Sequence, residues 1–315
     1  MAIIRLVVRR LLSSTPLLFL VSALTFVLVS LVPGDPARTI VGQHATVDQY
    51  NAVRLQLGLD EPLPIQYWDW LVGVFHGDLG SSLFSGEPVT SVLNSRLPVS
   101  LSLIVAGTIL SGILGVSLGL LTARRGGFLV KVVDGLSLVG LAVPAFWFAL
   151  VLIAIWSVKL RWFPVTGYVP FSEDPAQWGR SLVLPVVSLS LGAVAMIAKQ
   201  TRDSVLDTLG RDFIRVMQAN GFSQRSILYR HVLRNAALPV VTVLGVVLIS
   251  LLATGVFVET VFAMPGLGLL TQQATIQHDI PVIQGAVLYI TVLVVLVNLL
   301  VDLAYRQLDP RVRAS

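Results

Sequence analysis

Apolar residues fill this chain in long unbroken runs, and polar residues gather between them. Six runs stand out: Leu11–Val32, Pro98–Thr122, Val132–Val158, Ser181–Ile197 extending to Lys199, Leu238–Val258 and Pro281–Leu303. They are apolar on every side, so neither a helical nor a strand period assigns them. Length does, because a helix needs about 20 apolar residues to cross a bilayer. The pattern predicts an all-α polytopic membrane protein with six transmembrane helices. Two polar stretches are too long to be turns and should hold structure of their own: residues 33–97 and 200–237.

Composition agrees with a bilayer as solvent. The chain is 55% hydrophobic and 12% charged, with a mean hydropathy of +0.83. Soluble domains carry about 25% charged residues. A soluble enzyme, a disordered chain and a secreted disulfide scaffold are excluded. The absence of cysteine excludes disulfides, thiolate metal sites, iron–sulfur clusters and a cysteine nucleophile. The first run follows Arg5, Arg9 and Arg10, as in a signal peptide. It is longer than a usual signal core, and Leu31-Val32-Pro33-Gly34 is not a small-x-small cleavage site, so an uncleaved first span is expected.

A net charge of +5 and a pI of about 9.9 raise nucleic acid as a partner until the charges are placed. With six spans and both termini inside, 16 of the 22 Lys and Arg fall on the inner side, seven of them between Lys199 and Arg234. The other six are Arg38, Arg54, Arg96, Lys159, Arg161 and Arg180. The positive-inside rule favours this orientation. Basicity is then a topological label, and no nucleic-acid partner is expected.

In the outer stretch, Thr46 with Gln49 reads as a capping box and Gly58 as a helix stop, which predicts a helix over Val47–Leu57. A second helix is expected over Pro64–Phe75, ending at Gly77, with Tyr67, Trp68, Leu71, Val72 and Phe75 on one face. That face reads as a lid packed on the membrane domain, as an interfacial anchor or as a substrate contact. In the inner stretch, Asp212 is placed to cap a two-turn helix Phe213–Ala219 that stops at Asn220-Gly221. Ser223 starts a second helix carrying Arg225, Arg230 and Arg234, and Pro239 lies near the start of the next span. A basic loop on anionic lipid explains the arginines. It leaves two short capped helices around Gly221 unexplained, and these read as a docking element.

Chemistry of its own is missing from the chain. His44, His76, His231 and His278 match no metal spacing, and no nucleotide-binding or hydrolase motif occurs. Asp134, Glu259 and Asp302 sit near span ends rather than forming a relay at depth. Gly115 and Gly119 form a small-xxx-small pattern, common by chance and able to let helices approach closely. A secondary transporter would show internal repeats around an ion site, and an intramembrane enzyme would need polar groups at depth. Neither pattern is evident.

A set of tags then carries a resemblance: Leu31-Val32-Pro33-Gly34-Asp35-Pro36, Leu57-Gly58-Leu59-Asp60-Glu61-Pro62, Gly77-Asp78-Leu79-Gly80-Ser81-Ser82, Val143-Pro144-Ala145-Phe146, Met264-Pro265-Gly266-Leu267-Gly268, Asn298 with Asp302, and Leu308-Asp309-Pro310-Arg311. In this order and spacing, nearly end to end, the chain resembles the membrane permease subunits of ATP-binding-cassette importers. More narrowly it resembles the first permease subunit of the dipeptide, oligopeptide and nickel branch. The family's E-A-A-x-x-x-G coupling signature falls on Arg215-Val216-Met217-Gln218-Ala219-Asn220-Gly221, where Gly221 matches. Against the branch's R-T-A-R-A-K-G, Arg215, Ala219 and Gly221 match, while Met217 and Asn220 depart. Arg234-Asn235-Ala236-Ala237-Leu238-Pro239 fits the branch's R-N-A-x-x-P.

The resemblance implies a type I importer permease fold in a bacterial cytoplasmic membrane, without an ATPase site or cofactor in this chain. It implies a second homologous permease subunit, two ATPase subunits that bind ATP and Mg, and an external solute-binding protein. Asp212, Phe213, Arg215, Val216, Met217, Ala219, Asn220 and Gly221 would couple to the ATPases, with Met217 entering an apolar groove. Peptides are the default cargo of the branch. Nickel, glutathione and haem-like cargo remain open. Phe146, Trp147, Trp162 and Tyr168 are either path-lining or packing residues.

Overall fold

The computed structural model describes residues 2–31, 34–42 and 44–308, the side chains of residues 2–6 and 308 excepted. Val32-Pro33 of the first tag, Asp309-Pro310-Arg311 of the last, and Arg313 lie outside them. Among the described residues the chain is helical and has no strand beyond an isolated bridge between Ser81 and Pro88. The helices are α1 (Ala2–Ser30), α2 (Pro36–Val41), α3 (Val47–Gln56), α4 (Leu63–Phe75), α5 (Val89–Arg125), α6 (Gly127–Ala142), α7 (Ala145–Leu152), α8 (Pro175–Leu209), α9 (Asp212–Ala219), α10 (Gln224–Ser226), α11 (Leu233–Val261), α12 (Leu267–Gln277) and α13 (Ile280–Leu308). Five are long and apolar enough to cross a membrane: Val7–Ser30, Val89–Arg125, Pro175–Leu209, Gln224–Val261 and Ile280–Gln307.

The third expected span is not one straight helix. Gly127–Ala142 and Ala145–Lys159 are bent by 103° at Val143-Pro144. Pro144 has no N–H to continue the ladder, and it forces the preceding residue out of the helical region. Val143 accordingly has φ −84° and ψ 121°. Two more boundaries differ from expectation. The helix begun at Ser223 runs on through a π-helical turn, Ile227–Val232, into the span, so Pro239 lies inside a helix rather than near its start. The fourth span is longer than its apolar core, from Pro175 to Leu209.

The chain divides into two compact units. The first is residues 1–100 with 265–295. Its core joins Leu79, Val89 and Leu93 to Leu267, Ala274, Val282, Ile283 and Ala286. A Cβ on Gly285 would stand 2.6 Å from Val89 Cγ1, so the backbone of α13 approaches closely there. Buried Asp279 accepts the Ser82 hydroxyl at 2.5 Å and the Leu83 N–H at 3.2 Å, which pins the loop before α5.

Around that core the small helices carry their own locks. Thr46 and Gln49 form the expected reciprocal capping box of α3. Gly58 (φ +64°) and Gly77 (φ +80°) close α3 and α4 with the same pair of bonds, Leu59 N–H to Arg54 and Gly58 N–H to Leu55, then Asp78 N–H to Gly73 and Gly77 N–H to Val74. Arg54 bonds the Asp60 carboxylate at 2.8 Å and the Tyr50 hydroxyl at 3.0 Å, and Tyr50 donates to Asp35. Desolvation pushes the Asp35 carboxyl up, but the Tyr50 bond, the backbone of Ala37 and Arg38 and the Arg54 charge together hold it below the usual value. The expected apolar face of α4 is split. Tyr67 bonds Ser22 of α1 at 2.9 Å and Leu71 is buried, whereas Trp68, Val72 and Phe75 are exposed, the Phe75 ring lying beside that of Phe19.

The second unit is residues 101–264 with 296–315. Its α8 packs against α6, α7 and α11. Small residues let backbones close in. A Cβ on Gly115 would stand 2.6 Å from the Ile197 Cβ, and one on Gly119 would stand 2.6 Å from both the Ala198 carbonyl and the Thr201 Cβ. The small-xxx-small pattern is thus the surface on which α5 meets α8. Asp134 of α6 pairs with Arg202 of α8 at 2.6 Å.

Candidate coupling segment

Residues 211–236 of the second unit form a local assembly on a core of their own. Ile214, Ile227 and Val232 are fully buried with Val205, Leu228 and Ala236. Leu120, Ala123, Leu209 and Met217 pack around them. In α9, Ile214 and Met217 lie three residues apart and share the inward face. Phe213 and Val216 fall on the other side, 39% and 59% exposed. Burying Ile214 in place of leaving it in water contributes about 2 kcal/mol, which seats a helix of 8 residues that could not persist alone.

The N-terminus of α9 differs from expectation. Arg211 takes the cap position, with φ −74° and ψ 147°, and makes no side-chain cap bond. Asp212 is therefore the first helical residue. Its carboxylate complements the helix dipole and lies 3.6 Å from Arg215. Both are largely exposed, so the pair adds little.

The C-terminus is as expected. Asn220 caps the helix and Gly221 takes φ +78°. The Gly221 N–H donates to Gln218 at 3.0 Å and the Phe222 N–H reaches back to Met217 at 3.1 Å. These bonds satisfy two carbonyls that a helix end leaves open. Gly221 has nothing within 4 Å of a notional Cβ, so its requirement is backbone conformation, not room. The chain then restarts at Ser223, whose hydroxyl accepts the Ser226 N–H at 3.3 Å. The π-helical turn Ile227–Val232 follows, carrying exposed Arg230 and an exposed Tyr229.

Of the residues that the resemblance assigns to coupling, Asp212, Phe213, Arg215, Val216, Ala219, Asn220 and Gly221 are exposed in the structure. Met217 is different: it packs inward on the Ile214 core and is not free to enter a groove. Ile214 is the residue that sequence reading missed. Its three-residue spacing from Met217 was the available signal. Phe222 and Tyr229 extend the exposed apolar surface beyond α9.

Elsewhere in the second unit a cavity of about 300 Å³ opens at the α6–α7 break, bordered by Gly140, Pro144, Ser188, Gly192, Ser250 and Thr254. Phe146, Trp147, Trp162 and Tyr168 do not border it. Phe146 packs on Phe257, Trp162 on Trp156, and Tyr168 accepts the Trp178 indole N–H. Among the described residues no group of three His, Asp or Glu converges to hold a metal.

Among the described residues, the second unit is thus all-helical and carries a small seated helix between two long apolar spans. Residues 115–314 match the family described as binding-protein-dependent transport system inner membrane component, and residues 3–104 match its N-terminal membrane component. The chain belongs to this family. It is a permease subunit of an ABC importer and not an ATPase. The chain is 40% identical over 309 residues to a putative peptide transport system permease protein of Brucella abortus, covering 98% of each chain. It is 41% identical over 308 residues to a probable peptide ABC transporter permease protein of Sinorhizobium fredii, again covering 98% of each. The oligopeptide transport system permease protein AppB of Bacillus subtilis is 36% identical over 312 residues, covering 97% of this chain and 98% of AppB. An inward-facing methionine ABC transporter, MetNI, matches in fold with a TM-score of 0.57 at 20% identity, covering 70% of this chain and 97% of that chain.

Proposed function

We propose that this chain forms half of the membrane path of an ATP-driven peptide importer in a bacterial cytoplasmic membrane. A second homologous permease forms the other half. Two ATPase subunits, which bind ATP and Mg, dock on the inner side, and an external binding protein delivers the peptide. Both termini lie inside and residues 33–97 outside, as the Lys and Arg distribution favours.

The observation that carries the coupling role is the two-sided character of α9. Ile214 anchors it to the ends of α5, α8 and α11, while Phe213 and Val216 stay open. A partner gripping the open face moves the anchored one with it, so closure of the ATPases is passed to the spans as rigid-body movement. Peptide as cargo is supported by the printed names of the relatives that match over nearly the full chain.

The test is uptake of a labelled tripeptide by proteoliposomes holding the four-subunit complex and its binding protein. Uptake that requires internal ATP and the binding protein is expected. Uptake that persists without ATP and follows an ion gradient would overturn the proposal.

A further inference from the structure

Ile65, Trp68, Val72 and Phe75 recur along α4 at steps of three, four and three residues, so they share one face. All four are exposed, Trp68 at 62% and Phe75 at 72%. A second face, Tyr67, Leu71 and Val74, turns inward. Tyr67 bonds Ser22 of α1, Leu71 is buried and Val74 packs on the core of the first unit. Gln66, Asp69 and Gly73 make up the third face, which carries the helix's carboxamide and its carboxylate. An open apolar face beside a polar one marks a membrane or protein contact.

The contacts of α4 decide between the two. Ser22 and Phe19 lie eight and eleven residues in from the end of α1 at Ser30, within its membrane-crossing stretch. Tyr67 bonds the first, and the Phe75 ring stands 6.3 Å from that of the second. The helix therefore lies beside the span, not beyond its end. Phe19 is itself exposed and leads on to exposed Leu20 and Leu24. Of the five spans α1 is the least covered, with 11% of its apolar stretch buried. The open face of α4 continues that surface at Phe75. The ends of the helix suit such a place. Pro64 brings no N–H to the first turn. At the other end His76 Nδ1–H donates to the Val72 carbonyl at 2.8 Å, the His76 and Asp78 N–H groups to Gly73 at 2.9 Å, and the Gly77 N–H to Val74 at 3.0 Å. Those carbonyls need no water, as backbone near hydrocarbon requires. We infer that α4 is an interfacial membrane helix. Ile65, Trp68, Val72 and Phe75 sit among lipid acyl chains, and Gln66 and Asp69 face the headgroups and water. Trp68 supplies the amphipathic ring that is enriched at this level. The inference goes beyond the transport reading and rests only on α1 crossing the membrane.

The chain has no cysteine, so a nitroxide can be attached at one introduced cysteine at a time. Ile65→Cys, Trp68→Cys, Val72→Cys and Phe75→Cys report on the open face, Asp69→Cys on the polar face and Leu20→Cys on the span. The complex, its other subunits made cysteine-free, is reconstituted in vesicles of phosphatidylethanolamine and phosphatidylglycerol, with and without the binding protein. Paramagnetic resonance compares collision with oxygen, which concentrates in lipid, and with a water-soluble nickel chelate. The four positions on the open face are expected to favour oxygen, as position 20 does, and position 69 to favour the chelate. Adding the binding protein is expected to leave the open face unchanged. All four substitutions are at exposed sites, and the remaining positions carry the test if one variant does not fold. Chelate access along the open face would overturn the inference. So would loss of access to both reagents, the mark of a covering protein subunit, whether it is the second permease or the binding protein. Either result together with oxygen access at position 20 would leave the crossing by α1 standing.

Discussion

Gly119 and Thr201 meet so closely that a Cβ on the glycine would stand 2.6 Å from the threonine Cβ. The contact fixes how near α5 comes to α8. A larger residue at 119 must push one helix away, at a cost of about 1–3 kcal/mol. Gly119→Val is expected to lower the thermal midpoint of the purified chain. Gly135 is the control. It is also helical but has nothing within 4 Å, so Gly135→Ala is expected to be neutral or stabilising.

Arg202 keeps 15% of its side chain exposed and Asp134 keeps 45%, with 2.6 Å between them. Asp134→Ala leaves the guanidinium with the weaker Asp203 contact at 3.5 Å. A double-mutant cycle with Arg202→Leu is expected to give a coupling of about 1 kcal/mol, reduced from buried-pair values by the exposure of Asp134. Independent effects of the two substitutions would remove this latch from the account of how α6 is held to α8.

Asp35 supplies the pH dependence. Its folded pKa lies below the unfolded value of about 3.9. The stabilisation is therefore fully present above the unfolded value and is lost as pH falls through the folded one. With its side chain 29% exposed, the size is under about 1 kcal/mol. Thermal midpoints of the wild type should fall below pH ~4 more steeply than those of Asp35→Asn. Parallel curves would assign the acid limb to other carboxylates.

Ile214 and Val216 separate seating from contact. Ile214 is fully buried and Val216 is 59% exposed. Ile214→Ala is expected to cost about 2–5 kcal/mol and to loosen the segment. Val216→Ser should leave the thermal midpoint within about 0.5 kcal/mol of wild type and weaken ATP-coupled uptake. Equal destabilisation by both would contradict the two-sided reading of α9.

The long apolar runs made the spans legible, because crossing a bilayer is set by length and composition. Local caps were legible for the same kind of reason: Thr46 with Gln49, Gly58, Gly77 and Gly221 announce backbone needs that few residues meet. Tertiary facts were not. Val143-Pro144 carried a breaking signal that the surrounding apolar run concealed. Asp212 was a good cap by type, but Arg211 took the extended position before it. Gly115 and Gly119 matter because Ile197 and Thr201 lie opposite, which no one-dimensional pattern states. Met217 faces inward because Ile214 sets the phase of α9.

Gly221 gives the most direct test of coupling through α9. At φ +78° an L-residue is strained by about 1–2 kcal/mol, more when β-branched, and no neighbour obstructs the side chain. A valine therefore acts on the helix stop alone and shifts α9 against its partner. The measurement is ATP hydrolysis and labelled-peptide uptake, taken together, in the reconstituted complex carrying Gly221→Val. Hydrolysis that continues while uptake falls to background is the expected result, and normal ATP-driven uptake would contradict the coupling role of this segment.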